Sequence, residues 1–132
     1  MISKRDRRFF DVASAMARTS THKKARVGCV VTSGSVIVSV GVNGIKTHPM
    51  QERYDILRKH SGRHILHAEI DAVRKLRSQA DRIYIYRTRN GTQGMARPCL
   101  ACMGALRDYG ILDVYYTTNE GFCYERISDA KV

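Results

Sequence analysis

Two short segments, His67-Ala68-Glu69 and Pro98-Cys99-Leu100-Ala101-Cys102, constrain this chain more than anything else in its sequence. Together they supply one imidazole, two thiols and one carboxylate. Catalytic zinc is typically held by three protein side chains with the fourth position left to water, whereas structural zinc is closed by four Cys or His. His67, Cys99 and Cys102 fit the open kind and leave Glu69 free to carry protons. A zinc ion so held lowers the pKa of its water from ~15.7 toward about 7, so that hydroxide is the nucleophile at neutral pH. Whatever the fold, it must bring residue 67 and residue 99 to one point, although residues 70–97 lie between them. A structural zinc knot, or chance, would account for either segment alone; both together, with Pro98 ahead of the first Cys, favour a catalytic centre.

Helical placement explains the spacing. Cys99 and Cys102 are three apart, neighbours on one helical face, and Pro98 suits a first helical turn, where its missing N–H would have had no partner. The positive end of that helix lowers the pKa of both thiols. His67 and Glu69 stand at the start of a segment from Leu66 to Arg77 whose apolar positions, Leu66, Ile70, Val73 and Leu76, recur at helical spacing.

With 132 residues the chain is expected to form one domain with a core that needs no disulfides. No apolar stretch reaches membrane-spanning length and Met1 to Arg8 does not read as a signal peptide, so a cytoplasmic location is expected. Of the four cysteines, two are assigned to metal, and Cys29 lies in an apolar run as a buried small side chain. A net charge of +11 points to an anionic partner. The cations form small clusters, including Lys23-Lys24-Arg26 and Arg87-Arg89, and a solvated basic surface would have the same composition.

Along the chain, Arg5 to Arg18 reads as a helix through Phe9, Val12, Ala13, Met16 and Ala17. Val27 to Thr32 and Val36 to Val42 read as a hairpin. Residues from Asn43 to about Gly62 are polar and read as irregular, with a helical turn or two in Met50 to Lys59; so long a segment is usually functional. The metal helix follows, then a strand at Arg82 to Thr88, a helix at Pro98 to Tyr109, a strand at Val114 to Thr117 and a short tail. This order implies an α/β domain with a mixed five-stranded sheet, its later strands parallel, helices on both faces, and both metal-bearing helix starts on one side.

The His-x-Glu and Pro-Cys-x-x-Cys pattern, over most of the chain, resembles the cytidine and deoxycytidylate deaminase superfamily. The resemblance implies a three-layer α/β/α fold, one catalytic Zn2+ on His67, Cys99 and Cys102, proton transfer by Glu69, and a homo-oligomer. It places Ala68 among the substrate contacts. Gly41-Val42-Asn43-Gly44 is similar to the Gly-x-Asn-Gly of deoxycytidylate deaminases, which makes Asn43 a candidate for holding sugar and base; an ordinary turn Asn is the alternative. His48-Pro49 is similar to a loop that tRNA deaminases place against the nucleotide. Arg97 departs from the apolar residue common in deoxycytidylate deaminases and is a candidate phosphate contact, with Arg26 and Tyr124 as weaker ones. His60 and His64 are spaced like ligands of a second, structural zinc but read as surface histidines.

The first expectation is therefore hydrolysis of a cytosine nucleotide, dCMP to dUMP and ammonia. The alternative is a base-editing deaminase acting on tRNA or single-stranded DNA, which the charge favours. Absence of Trp for base stacking, and an end soon after Arg126 without the longer basic C-terminal helix of bacterial tRNA deaminases, speak against it. A zinc-stabilised binding module without turnover is the third reading; the intact Glu69 opposes it.

Overall fold

The computed structural model describes residues 2–58 and 65–128. The first helix, α1, spans Lys4–Ala17 and opens with a capping box: Asp6 N–H donates to Ser3 Oγ at 3.0 Å and Ser3 N–H donates to the Asp6 carboxylate at 3.2 Å. It buries Phe9, Phe10, Ala13 and Ala17 on one stripe. β1 (Ala25–Ser33) and β2 (Val36–Val42) form the expected hairpin, turning at Gly34, whose φ of +60° suits a residue without Cβ. The chain continues through α2 (Pro49–Leu57), α3 (Ala68–Val73), β3 (Arg82–Arg89), the two-residue β4 (Thr92–Gln93), α4 (Leu100–Asp108), β5 (Asp113–Thr117) and β6 (Phe122–Arg126).

The sheet runs in the order β2-β1-β3-β5-β6, with β4 added at the end of β3. Among the described residues only β3 and β5 are parallel; the other pairs are antiparallel. The fifth strand of the continuous sheet is β6, in the segment that the sequence presents as a tail. Three further expectations are corrected. A full helix, α2, lies within the supposedly irregular stretch; its buried residues are Gln51, Tyr54 and Asp55, two of them polar, so no apolar repeat announces it. The metal helix is shorter at both ends than expected, ending at Val73 instead of Arg77 and starting after Leu66, which is held extended: its N–H donates to the Lys46 carbonyl and its carbonyl accepts from Gly44 N–H. Pro98 precedes α4 instead of sitting in its first turn, since Cys99 is the N-cap. His60 and His64, read as surface residues, lie outside the described residues.

Strand alternation divides the core into layers. Val30 and Tyr84 face α1 and pack with Phe9, Phe10 and Ala13. Cys29, Val31, Ile83, Ile85, Val114 and Tyr116 face the other way, among residues of α3 and α4. Two glycines let the helices approach. A Cβ on Gly28 would collide with the α1 backbone at Ala13 and Ala17, and one on Gly41 would collide with the α3 backbone at Ala68 and Ala72. α3 is then bolted to β2 by Ser39 Oγ donating to the Ala72 carbonyl at 2.8 Å and Val42 N–H donating to Asp71 at 3.0 Å. The result is a three-layer α/β/α arrangement with the starts of α3 and α4 on the same face. No helix among the described residues is long and apolar enough to cross a membrane.

Candidate zinc and catalytic site

His67 and Cys99 are the N-cap residues of α3 and α4, both with extended backbones, and neither side chain caps its own helix. Ring and thiol are thus free to point elsewhere. They point at each other: His67 Nδ1 lies 3.2 Å from Cys102 Sγ and 3.7 Å from Cys99 Sγ, and one donor atom from each residue falls within 4.8 Å of the others. Zn–S bonds of ~2.3 Å and Zn–N bonds of ~2.0–2.1 Å in a tetrahedron separate the donors by roughly 3.5–3.8 Å. The donor set therefore fits zinc in type and spacing. It is the cluster of three or more potential ligands found among the described residues, and it contains no fourth protein donor.

The electrostatics suit metal uptake. Hydrogen bonding with Cys102, then with His67, brings the Cys99 thiol down to about 4, while its bond to Cys99 lifts His67 to about 9. Cys102 is fully buried and its thiol is pushed far up, by its bond with Cys99 and by desolvation. Zinc ligation requires a neutral imidazole and thiolates, so uptake would expel the protons of His67 and Cys102. Glu69, 6% exposed, is pushed up chiefly by burial, which opposes its charged form. A carboxyl so placed can hold a proton and release it.

Three of these groups, His67, Glu69 and Cys99, line a cleft of about 270 Å³, just below the ~300–1,000 Å³ usual for small-molecule sites, while Cys102 lies behind it. His67, Ala68, Glu69, Asn43, Arg97 and Cys99 line it; Arg26, His48 and Tyr124 do not. Asn43 binds the fold with most of its amide: Oδ1 accepts from Ser20 Oγ at 2.6 Å and from Val27 N–H at 2.9 Å, and Nδ2 donates to the Ala25 carbonyl at 2.9 Å. One Nδ2 hydrogen is left for a ligand. Arg97 is held by Glu125 in a two-pronged ion pair at 2.6 and 3.2 Å, and Tyr116 OH donates to the same carboxylate at 3.0 Å. Glu125 thus offsets the charge at this rim.

The other three have different stations. His48 caps α2, its Nδ1 accepting from Met50 N–H at 3.1 Å. Arg26 lies on the α1 side of the sheet, beside Thr88. Tyr124 stands on that side too, against Tyr115, and donates to Asp113 at 2.5 Å; alternation turns its neighbour Glu125 toward the cleft face instead.

Sequence reasoning missed three residues. Gln51, fully buried, accepts the His67 N–H with Oε1 at 2.9 Å and donates to Asp55 with Nε2 at 3.0 Å, so that α2 fixes the backbone of a metal-site residue. His22 lines the cleft with Nδ1 accepting from Ala25 N–H at 3.1 Å, which leaves a proton for Nε2. Arg87, also on the cleft, makes no ion pair among the described residues. Only Arg87 had a signal, its place in a basic cluster.

The comparisons agree with this geometry. The cytidine and deoxycytidylate deaminase zinc-binding region, as a sequence family, matches residues 3–118. No curated protein sequence matches the chain. Among solved structures, the dCMP deaminase of cyanophage S-TIM5 superimposes with a TM-score of 0.62 at 22% identity, covering 89% of this chain and 86% of the other. The cytidine deaminase of Burkholderia pseudomallei does so with a TM-score of 0.65 at 16% identity, covering 97% and 95%. That of Mycobacterium leprae gives 0.60 at 18% identity, covering 89% and 91%. Identities this low speak for a shared fold, while the family match covers both metal motifs; the chain belongs to the cytidine and deoxycytidylate deaminase family.

Proposed function

We propose that this protein hydrolyses the exocyclic amine of a cytosine nucleotide, converting dCMP to dUMP and ammonia. The observation that carries the reading is the convergence of His67, Cys99 and Cys102 beside a cleft that is also lined by the largely buried Glu69 carboxyl. Zinc held by those three side chains supplies Lewis-acid activation of a water nucleophile near neutral pH. Glu69 accepts a proton from the attacking water and delivers it to the ring nitrogen beside the carbon under attack. It then takes the remaining hydroxyl proton and passes it to the amine, so that the carbon–nitrogen bond breaks, a carbonyl forms and ammonia leaves. The spare Nδ2 hydrogen of Asn43 suits a sugar or base oxygen. Arg87 and the Nε2–H of His22 give the cleft two donors for a phosphate, and Arg97 a third once Glu125 is exchanged for the ligand.

The cleft volume suits a single nucleotide. Steady-state comparison of dCMP, CMP, deoxycytidine and cytidine tests the substrate. The reading predicts that dCMP has the highest kcat/KM, and that Glu69→Ala lowers its turnover by about 10²–10⁴-fold with zinc content unchanged. Equal or better turnover of the unphosphorylated nucleosides would contradict the nucleotide assignment. Retained turnover in Glu69→Ala would contradict the mechanism.

A further inference from the structure

We infer that the surface around the cleft mouth is a phosphodiester-binding groove, over which a single-stranded nucleic acid lies. Two grooves flank the cleft. One contains Arg18, Lys23, Lys24 and Arg26, and the other contains Arg87 and Arg89. Asn90 belongs to both grooves, and Arg87 and Met95 belong to both the second groove and the catalytic cleft. The three therefore adjoin one another along shared residues. The path starts on the α1 side of the sheet, crosses the sheet end where Asn90 N–H donates to the Lys24 carbonyl, and reaches Glu69 on the opposite face.

Charge along this path is one-sided. No carboxylate lines either flanking groove, and in the cleft the acidic residue is Glu69 itself. Among the described residues, none of the six cations named above forms an ion pair. Several of the acids are engaged elsewhere: Asp71 with Arg74 and Lys75, Asp113 with Arg126, Glu125 with Arg97, Asp6 with Tyr84. Six unpaired cations spread over both faces of a sheet end exceed the reach of one mononucleotide, whose single phosphate the cleft can meet. Consecutive phosphates of a flexible strand match them. No aromatic side chain lines either flanking groove, so the contacts are with the backbone and indifferent to base sequence. For catalysis the inference rests on the deaminase reading, with the target base entering the cleft from a strand held outside it; for binding it stands alone.

The test is fluorescence anisotropy of zinc-loaded protein with a labelled oligothymidylate of about 15 nucleotides, which lacks the reactive base. Six phosphate contacts predict a slope of log K on log salt of about −4.2, hence roughly a 300-fold loss of affinity between ~50 and 200 mM salt. Lys24→Glu with Arg89→Glu should flatten the slope by about 1.4 and weaken binding at least tenfold at low salt, with zinc content and Tm as controls for the fold. Should the double variant misfold, Lys24→Gln and Arg89→Gln singly each predict a slope flatter by about 0.7. Absent binding, a salt-independent affinity, or variants that bind like the parent would overturn the groove. So would inorganic triphosphate occupying the same residues while the oligonucleotide fails to bind, which would make it a small-anion site. A parallel assay of ammonia release from dCMP and from an oligodeoxycytidylate separates the two readings. Binding without ammonia from either substrate sinks the deaminase reading and leaves the groove; turnover of dCMP without oligonucleotide binding does the reverse.

Discussion

His67 can serve as a metal ligand only while its backbone stays in place, and the atom that holds it is Oε1 of Gln51, a side chain with no exposure at all. Gln51 touches no reacting atom; it positions. Gln51→Ala should therefore raise the zinc dissociation constant by about 10-fold, toward the low end of what supporting residues around metal sites cost. Competition against a chromogenic chelator measures it, and an unchanged zinc affinity with a lowered Tm would show that Gln51 serves packing alone. No reading of the sequence singles out this residue, because a buried glutamine is indistinguishable from a solvated one until its helix is known. The metal-site residues are the opposite case: imidazole, two thiols and a carboxylate announce their chemistry by type and spacing. The rim falls between. Arg97 is visible as a charge near Pro98, but that Glu125 pairs with it, and that Tyr124 faces away, depends on the parity of a strand the sequence hides.

At the scale of elements, the site depends on how closely α3 lies on β2, and Gly41 sets that distance. Because the obstacle to a Cβ there is backbone, neighbouring side chains cannot yield to it. Gly41→Ala should cost about 1–3 kcal/mol in denaturant unfolding and reduce zinc retention along with it. A stable, fully zinc-loaded variant would refute this account of α3. On the other face, Asp6 closes the α1 capping box and accepts from Tyr84 OH at 2.6 Å. Burial works against its charge, but the bonds from Tyr84 and Ser3 outweigh it, and its pKa lies below the ordinary 3.8. A depressed folded-state pKa means that Asp6 stabilises fully above the unfolded value and loses that contribution as pH falls through the folded one. Asp6→Asn should consequently narrow the stability gap to the parent as acid unfolding is followed below about pH 4. The β1–β2 hairpin, α1 and α4 were legible because β-branched runs with Gly34, apolar periodicity, and Pro98 with the cysteine spacing mark them in turn. α2 and β6 were not: one buries polar residues, and the other is a five-residue strand with a mixed burial pattern.

The whole molecule combines a small catalytic cleft with a net charge of +11, and these lead to separate expectations. Composition shows the excess of cations, but only the fold shows that Lys23, Lys24, Arg87 and Arg89 line adjoining grooves at one end of the sheet while Asp71 and Asp113 pair elsewhere. The family membership and the geometry of the candidate site support our proposal that one zinc and one carboxylate act together. Chelating the metal and returning zinc in steps, with ammonia release from dCMP followed at each step, tests that claim most directly. The account predicts a rate that rises in proportion to zinc up to one ion per chain and then stays level, and a rate about 10²–10⁴-fold lower in Glu69→Ala although it takes up the same zinc. Full zinc occupancy with no ammonia from dCMP, or ammonia release indifferent to zinc, would contradict it.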